Sequence, residues 1–252
     1  MATQEGILPI RGTIGNLTFF KSQDGFMVKA KSSIAKERIE TDEAFARTRE
    51  NMAEFSRAGK GAKLVRVALR NSLSKTKDRR MVSRLTTNML LVVQADAKSD
   101  RGKRNVIDGE AELLQGFDFN GKAKLSATLF APYTVLFDRK TGASSVTLGS
   151  FVPSILSVAP QGSTHFQLFS ATTAIDFEAE TFEAVSASSG ELPYDLNPTG
   201  ELVLDTSISA NSTHPVVIIL GIEFLQQING KFYSLKNGAY NACAVVDVDS
   251  GV

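Results

Sequence analysis

Two histidines, one cysteine and two short acidic groups are the first places to look for chemistry in this chain of 252 residues. A hydrolase needs a nucleophile beside its base, and a metal centre needs ligands at fixed spacing. His165 alternates with Phe166 and Leu168 as a strand residue would, and His214 precedes Pro215 at a strand start. Both read as structural. Cys243 lies between Ala242 and Ala244, a small core residue with no second cysteine to pair with. Asp176-Phe-Glu-Ala-Glu180 and Asp247-Val-Asp249 could offer oxygen ligands to a hard cation. They lack the ligand pattern of a calcium loop and read as solvated strand ends. Gly59-Lys-Gly-Ala-Lys63 has no Gly-Lys-Ser/Thr ending and no strand before it, and no Gly-x-Ser-x-Gly elbow occurs. The expectation is a non-enzymatic protein with no catalytic residue, cofactor or metal.

The denser signal is positive charge. Lys75, Lys77, Arg79, Arg80 and Arg84, followed by Arg101, Lys103 and Arg104, form a candidate patch for phosphate or for another subunit. Residues 1–104 hold 22 Lys and Arg against 11 Asp and Glu, a net of +11; residues 105–252 hold 6 against 16, a net of −10. Overall neutrality (+1) is therefore a sum of two opposite halves. These halves meet either within one chain or between copies, unless a polyanion takes the basic part.

The elements that carry these residues follow from periodicity. Thr41 or Asp42 is a candidate N-cap, with Glu43 in the first turn. Phe45, Thr48, Met52, Phe55, Gly59, Ala62, Val65, Leu69 and Leu73 recur at three- and four-residue spacing as one helix face. Gly59 and Gly61 either break this helix or let another backbone approach. A second helix is predicted over 77–97, with Val82, Leu85, Met89, Val92 and Val93 buried, and a helical turn over 110–115.

Before the helices, Ile7, Leu8, Pro9 and Ile10 read as an extended arm, and Asp24-Gly25 as the turn of a hairpin. That turn predicts Lys21 opposite Val28 and Phe19 opposite Ala30. Phe19, Phe26 and Val28 then share one face, with Phe20 and Met27 on the other. A ribbon apolar on both faces is marginal alone and must dock. Phe19, Phe20, Phe26 and Val28 are the candidate assembly residues.

After residue 116, strands are predicted over 122–129, 134–137, 145–149, 164–171, 174–177 and 201–207. A three-stranded meander over 216–227, 231–235 and 239–248 is predicted through Asn229-Gly230 and Asn237-Gly238. Val216–Leu220 is uninterruptedly apolar, as in a strand buried on both faces. The fold class expected is α+β: an N-terminal β-hairpin and helical hairpin, then a mainly antiparallel β-sandwich or jelly-roll-like domain. The predicted segments are 1–40, 41–115 and 116–252.

The start of the chain lacks a basic and apolar leader, and Val216–Leu220 is too short to span a bilayer, so a cytoplasmic protein is expected. Three runs resemble an uncharacterised family encoded in Bacteroidota genomes: Gly12-Thr-Ile-Gly-Asn-Leu-Thr-Phe-Phe-Lys-Ser-Gln-Asp-Gly25, Thr41-Asp-Glu-Ala-Phe-Ala-Arg-Thr-Arg-Glu-Asn51 and Arg104-Asn-Val-Ile-Asp-Gly-Glu-Ala-Glu-Leu-Leu114. The resemblance implies a bacterial, non-secreted protein and supplies no mechanism. The reading is a structural protein that self-assembles into a homo-oligomer (filament, tube or shell) through its arm, hairpin and oppositely charged ends. The alternative is a nucleic-acid-associated protein of a phage-like particle, binding through the basic helices.

Overall fold

The computed structural model describes residues 2, 3, 10–22, 25–31 and 34–251. The chain divides into two compact units, Met1–Glu50 and Asn51–Val252, where the sequence suggested three segments.

In the first unit, β1 (Ala2–Thr3), β2 (Gly12–Ile14), β3 (Leu17–Ser22) and β4 (Gly25–Ala30) form one antiparallel sheet in the order β1-β4-β3-β2. The hairpin register differs from the expected one. Lys21 faces Phe26, Phe19 faces Val28 and Ser22 faces Gly25, so the loop falls one residue earlier. Its residues Gln23 and Asp24, and Ile7, Leu8 and Pro9 of the arm, lie outside the described residues. Each pairing moves by two positions, so Phe19, Phe26 and Val28 still share a face. Helix α1 (Lys36–Thr41) follows, unforeseen in sequence, and Asp42 ends it. The Asp42 carboxylate accepts the Ala44 N–H at 3.0 Å and caps a 3-10 turn, Glu43–Phe45, that leads into α2 (Ala46–Ala68).

The second unit is three layers. One is helical: α2, α3 (Arg70–Leu73) and α4 (Met81–Gln94). Gly59 and Gly61 do not break α2, and Gly61 lies against Met89, where a Cβ would meet the side chain at 3.3 Å. The small residues Ala58, Gly61 and Ala62 set which side of α2 is buried, and the expected stripe turns accordingly. Met52 and Phe55 are exposed, and Glu54 is buried instead, its carboxylate accepting the Gly102 N–H at 2.8 Å. Close approach of a neighbour outweighs apolar periodicity here. On α4, Leu85, Met89, Val92 and Val93 are buried as expected; Val82 is exposed. The turn expected over 110–115 is a 3-10 helix, Ala111–Leu114.

The middle layer is a sheet of β7 (His165–Asp176), β8 (Thr181–Ser188), β9 (Leu192–Pro193), β11 (Val216–Ile228), β12 (Lys231–Ser234) and β13 (Ala242–Asp249). The outer layer orders β10 (Leu202–Ser207), β6 (Ala143–Leu148) and β5 (Tyr133–Asp138). Pairing throughout is antiparallel. Short helices α5 (Leu125–Thr128) and α6 (Pro153–Leu156) bridge the layers' connections. β11 is buried on both faces. Val217 and Ile219 pack toward the helices with Leu69, Met89 and Val93, while Val216, Ile218, Leu220 and Phe224 pack toward Val146, Leu148 and Leu204. Each such side chain contributes about 1.5–3 kcal/mol. The fold is α+β with a β-sandwich, as expected.

Three further expectations in this unit fail. The predicted strand 122–129 is a helical turn. Leu125, Thr128 and Leu129 are buried at helical spacing, and the Asp118 carboxylate accepts the Leu125 N–H at 2.9 Å. The strands predicted over 164–171 and 174–177 are one strand, β7. The meander forms only its first turn, at Asn229-Gly230. β12 and β13 each pair with β11 and not with one another, so Asn237-Gly238 closes no two-residue hairpin, and Lys236, Asn237 and Gly238 in succession have positive φ. Gly238 sits so close to the Lys75 carbonyl that a Cβ would lie 2.3 Å from it. β13 therefore returns to pair with β11 at Val216–Ile222, beyond the Leu225–Ile228 stretch that pairs with β12.

Candidate assembly surface and the basic residues

The sheet of the first unit brings Phe19, Phe26 and Val28 onto one face and Phe20 and Met27 onto the other. All five side chains are half-buried. Cations lie over the rings on both faces: Lys21 and Arg11 over Phe26 at 5.5 and 5.8 Å, and Lys29 over Phe20 at 5.6 Å. Lysine stems cover part of the apolar surface while the ammonium stays in water. Ile14 and Leu17 are 60% and 45% exposed. Among the described residues of 10–50, not one is buried. A sheet of this kind has no core of its own.

The basic residues separate into two groups. Lys75 lies 3.8 Å from the buried Glu223 carboxylate and 4.7 Å above the Phe169 ring. Arg84 donates to Asp78 at 2.6 Å and to the Asp118 and Phe119 carbonyls at 2.8 and 3.3 Å, stacked over Phe117. These two are spent on holding the unit together. The Lys77 N–H donates to the Gly238 carbonyl, and its side chain is exposed. Arg79 and Arg80 are exposed beside them. Arg101, Lys103 and Arg104 occupy the loop after α4. Arg101 donates to Asn51 at 2.9 Å, Lys103 pairs with Asp100 at 3.3 Å, and the Arg104 carbonyl accepts from Arg57. The opposite charges of the two sequence halves meet in part inside this unit, as Lys60–Glu180 at 3.7 Å and Lys75–Glu223 show.

The reactive residue types stay apart. His165 accepts or donates at Nδ1 with Thr164 and packs edge-on to Phe232. His214 Nε2 lies 3.8 Å from Asp176, whose carboxylate also accepts the Glu178 and Ala179 N–H groups in a turn. Those main-chain bonds, Ala179's first, hold the Asp176 carboxyl below the usual range. Asp249 is bound by Arg139. Cys243 is fully buried, and burial pushes its thiol far up. Among the described residues no group of three or more His, Cys, Asp or Glu could hold a metal ion. No helix among them is long and apolar enough to cross a membrane.

No family model matches the chain, and no curated protein does. Among solved structures, one concerning pH-induced modulation of Streptococcus parasanguinis adhesion by Fap1 fimbriae aligns over 48% of this chain and 82% of its own, at 12% identity and TM-score 0.24. The human F-spondin reeler domain aligns over 50% and 99%, at 14% identity and TM-score 0.17. Similarity this low carries no argument about fold or function.

Two features of the second unit were missed in sequence. β8, whose residues are mostly exposed, was not foreseen, and nor was the outward Leu136 of β5, 69% exposed. The alternation Tyr133-Thr-Val-Leu-Phe-Asp138 was a strand signal, but nothing in it distinguishes an edge strand from a central one.

Proposed function

We propose that this chain is a non-enzymatic structural protein that self-assembles into a homo-oligomer through the sheet of its first unit. One observation carries the reading: a four-stranded sheet with Phe19, Phe20, Phe26, Met27 and Val28 on its two faces and no buried residue among those described from 10 to 50. Sheets gain independent stability by covering an apolar face, and aromatic side chains are the strongest anchors when a neighbour covers them. The neighbour is a second copy. Arg11, Lys21, Lys29 and Lys31 give the sheet positive charge, and residues 105–252 present exposed Glu178, Glu191, Glu201 and Asp205. Such a contact joins different surfaces, so it closes into a ring or shell or continues as a filament or tube.

The nucleic-acid alternative has less support, because Lys75 and Arg84 are engaged internally. The test is native mass by light scattering, with negative-stain images, for the parent chain and for Phe19→Ala/Phe26→Ala. The expected result is high-order particles for the parent and none for the variant, with the second unit still folded by circular dichroism. Particles that survive the double change overturn the proposal.

A further inference from the structure

We infer that the outer edge of β5 is a second self-association site, where a second copy of this chain pairs strand to strand across a two-fold axis. β5 pairs with β6 through all six of its residues, Tyr133↔Leu148 to Asp138↔Ala143, without a bulge. On its other side, among the described residues, no main-chain group of Tyr133–Phe137 makes a hydrogen bond. Natural sheets guard such an edge with lysine, proline, a bulge or a covering segment. Within Tyr133–Asp138 there is no proline and no basic residue, and the one charge sits at the end. Other edges are better kept: the short β12 carries Lys231, and β8 lies against β10, where Glu183 accepts the Ser209 N–H through both oxygens.

The strand's sequence also fits itself. A two-fold axis normal to the sheet preserves the inner and outer faces, so the paired register must centre on one residue. Val135 and Phe137 pack inward against the core beneath β6, and Thr134, Leu136 and Asp138 are exposed. Centring on Leu136 sets Leu136 against Leu136 of the second copy, Val135 against Phe137, and the Thr134 hydroxyl against the Asp138 carboxylate. No charge then faces its like. Centring on Val135 instead sets Thr134 against Leu136 and brings Asp138 opposite Pro132, where no hydroxyl meets its carboxylate. The first register is the complementary one. It buries Leu136 and joins two outer sheets into one of six strands, β10-β6-β5-β5-β6-β10.

The test uses the full chain carrying Phe19→Ala and Phe26→Ala, so that the first unit's contacts do not mask the result. Light scattering is expected to give twice the 27.2 kDa chain mass, and adding Leu136→Lys is expected to halve it. Leu136 is 69% exposed, so an unchanged circular dichroism spectrum shows that the fold is intact. Residues directly opposite in an antiparallel pair have Cα atoms about 4.5–5.5 Å apart, within disulfide reach. Leu136→Cys is therefore expected to give a covalent dimer on mild oxidation, and Lys140→Cys, beyond the strand, is expected to stay reduced. The native Cys243 is buried and does not interfere. A monomeric double variant, a dimer that survives Leu136→Lys, or equal cross-linking at both positions overturns the inference. If the parent forms no particle but a dimer that Leu136→Lys dissolves, the first-unit proposal falls and this one stands.

Discussion

Asn241 Oδ1 accepts the main-chain N–H of Phe224 at 3.0 Å, at the point on β11 that β13 has left and β12 has not yet reached. The same side chain donates from Nδ2 to the Lys75 carbonyl at 2.7 Å, and the Asn241 carbonyl accepts from Asn120 at 2.9 Å. One buried amide thus fills a gap in the sheet and ties it to the segment after α3. Asn241→Ala leaves the Phe224 N–H and the Lys75 carbonyl buried without partners. The expected loss is about 2–3 kcal/mol in urea unfolding. Asn241→Asp restores the acceptor but not the donor and is expected to remain well below the parent.

Gly221 of β11 pairs with Phe169 of β7, and a Cβ there would lie 2.2 Å from the phenyl ring. Gly221→Ala is expected to destabilise by about 1–3 kcal/mol through overpacking. Combining it with Phe169→Leu is expected to recover part of that loss, since the smaller side chain vacates the space. A strictly additive double variant would show that the ring is not the obstacle.

Arg84 and Lys103 are both basic, and the fold distinguishes them. Arg84→Ala breaks the donors to Asp78, Asp118 and Phe119 and is expected to cost about 2–3 kcal/mol. Lys103→Ala removes an ion pair whose side chains are 76% and 83% exposed, and is expected to stay within about 0.5 kcal/mol. Equal melting shifts would contradict this division of the basic patch.

Asp96 predicts an acid-sensitive loop after α4. Its burial disfavours charge, but the N–H groups of Ser99, Lys98 and Asn105 outweigh that and hold the carboxyl at about 2, against an ordinary 3.8. A folded-state value below the unfolded one gives stability that is complete above the ordinary value and is lost as pH falls through the folded one. The melting difference between the parent and Asp96→Asn is therefore expected to be constant above pH ~5 and to shrink between pH ~4 and ~2. A difference unchanged down to pH ~2 would remove the carboxylate from the account.

Much of this fold was legible in sequence because it rests on local chemistry. Val216–Leu220 announced a doubly buried strand, Asn229-Gly230 a tight turn, and the aromatic alternation of residues 17–30 a two-faced hairpin. What was illegible depends on distant neighbours. Glu54 is buried because Gly102, 48 residues on, offers it an N–H, and Met52 is exposed although its spacing fits the apolar stripe. Asn237-Gly238 looks like a hairpin turn until Lys75 occupies the space beside it. The candidate site follows the same rule. The faces of Phe19 and Phe26 could be read from alternation, but that Lys75 and Arg84 serve the interior could not, since Glu223 lies in the sheet and the Asp118 and Phe119 carbonyls lie 34 and 35 residues beyond Arg84.

The helical layer packs on strands that come far later in the chain, and the Lys75–Asn241 contact spans 166 residues. At a synthesis rate of about 5–20 residues per second, α2 and α4 wait roughly ten to thirty seconds before β13 emerges to cover them. During that interval Val65, Leu69, Met89 and Val93 have at most the β7 and β11 part of their sheet to rest on, without Cys243, Val245 and Val248 of β13. A nascent chain arrested before residue 241 is therefore a substrate for holdase chaperones and proteases, and one released after β13 is not.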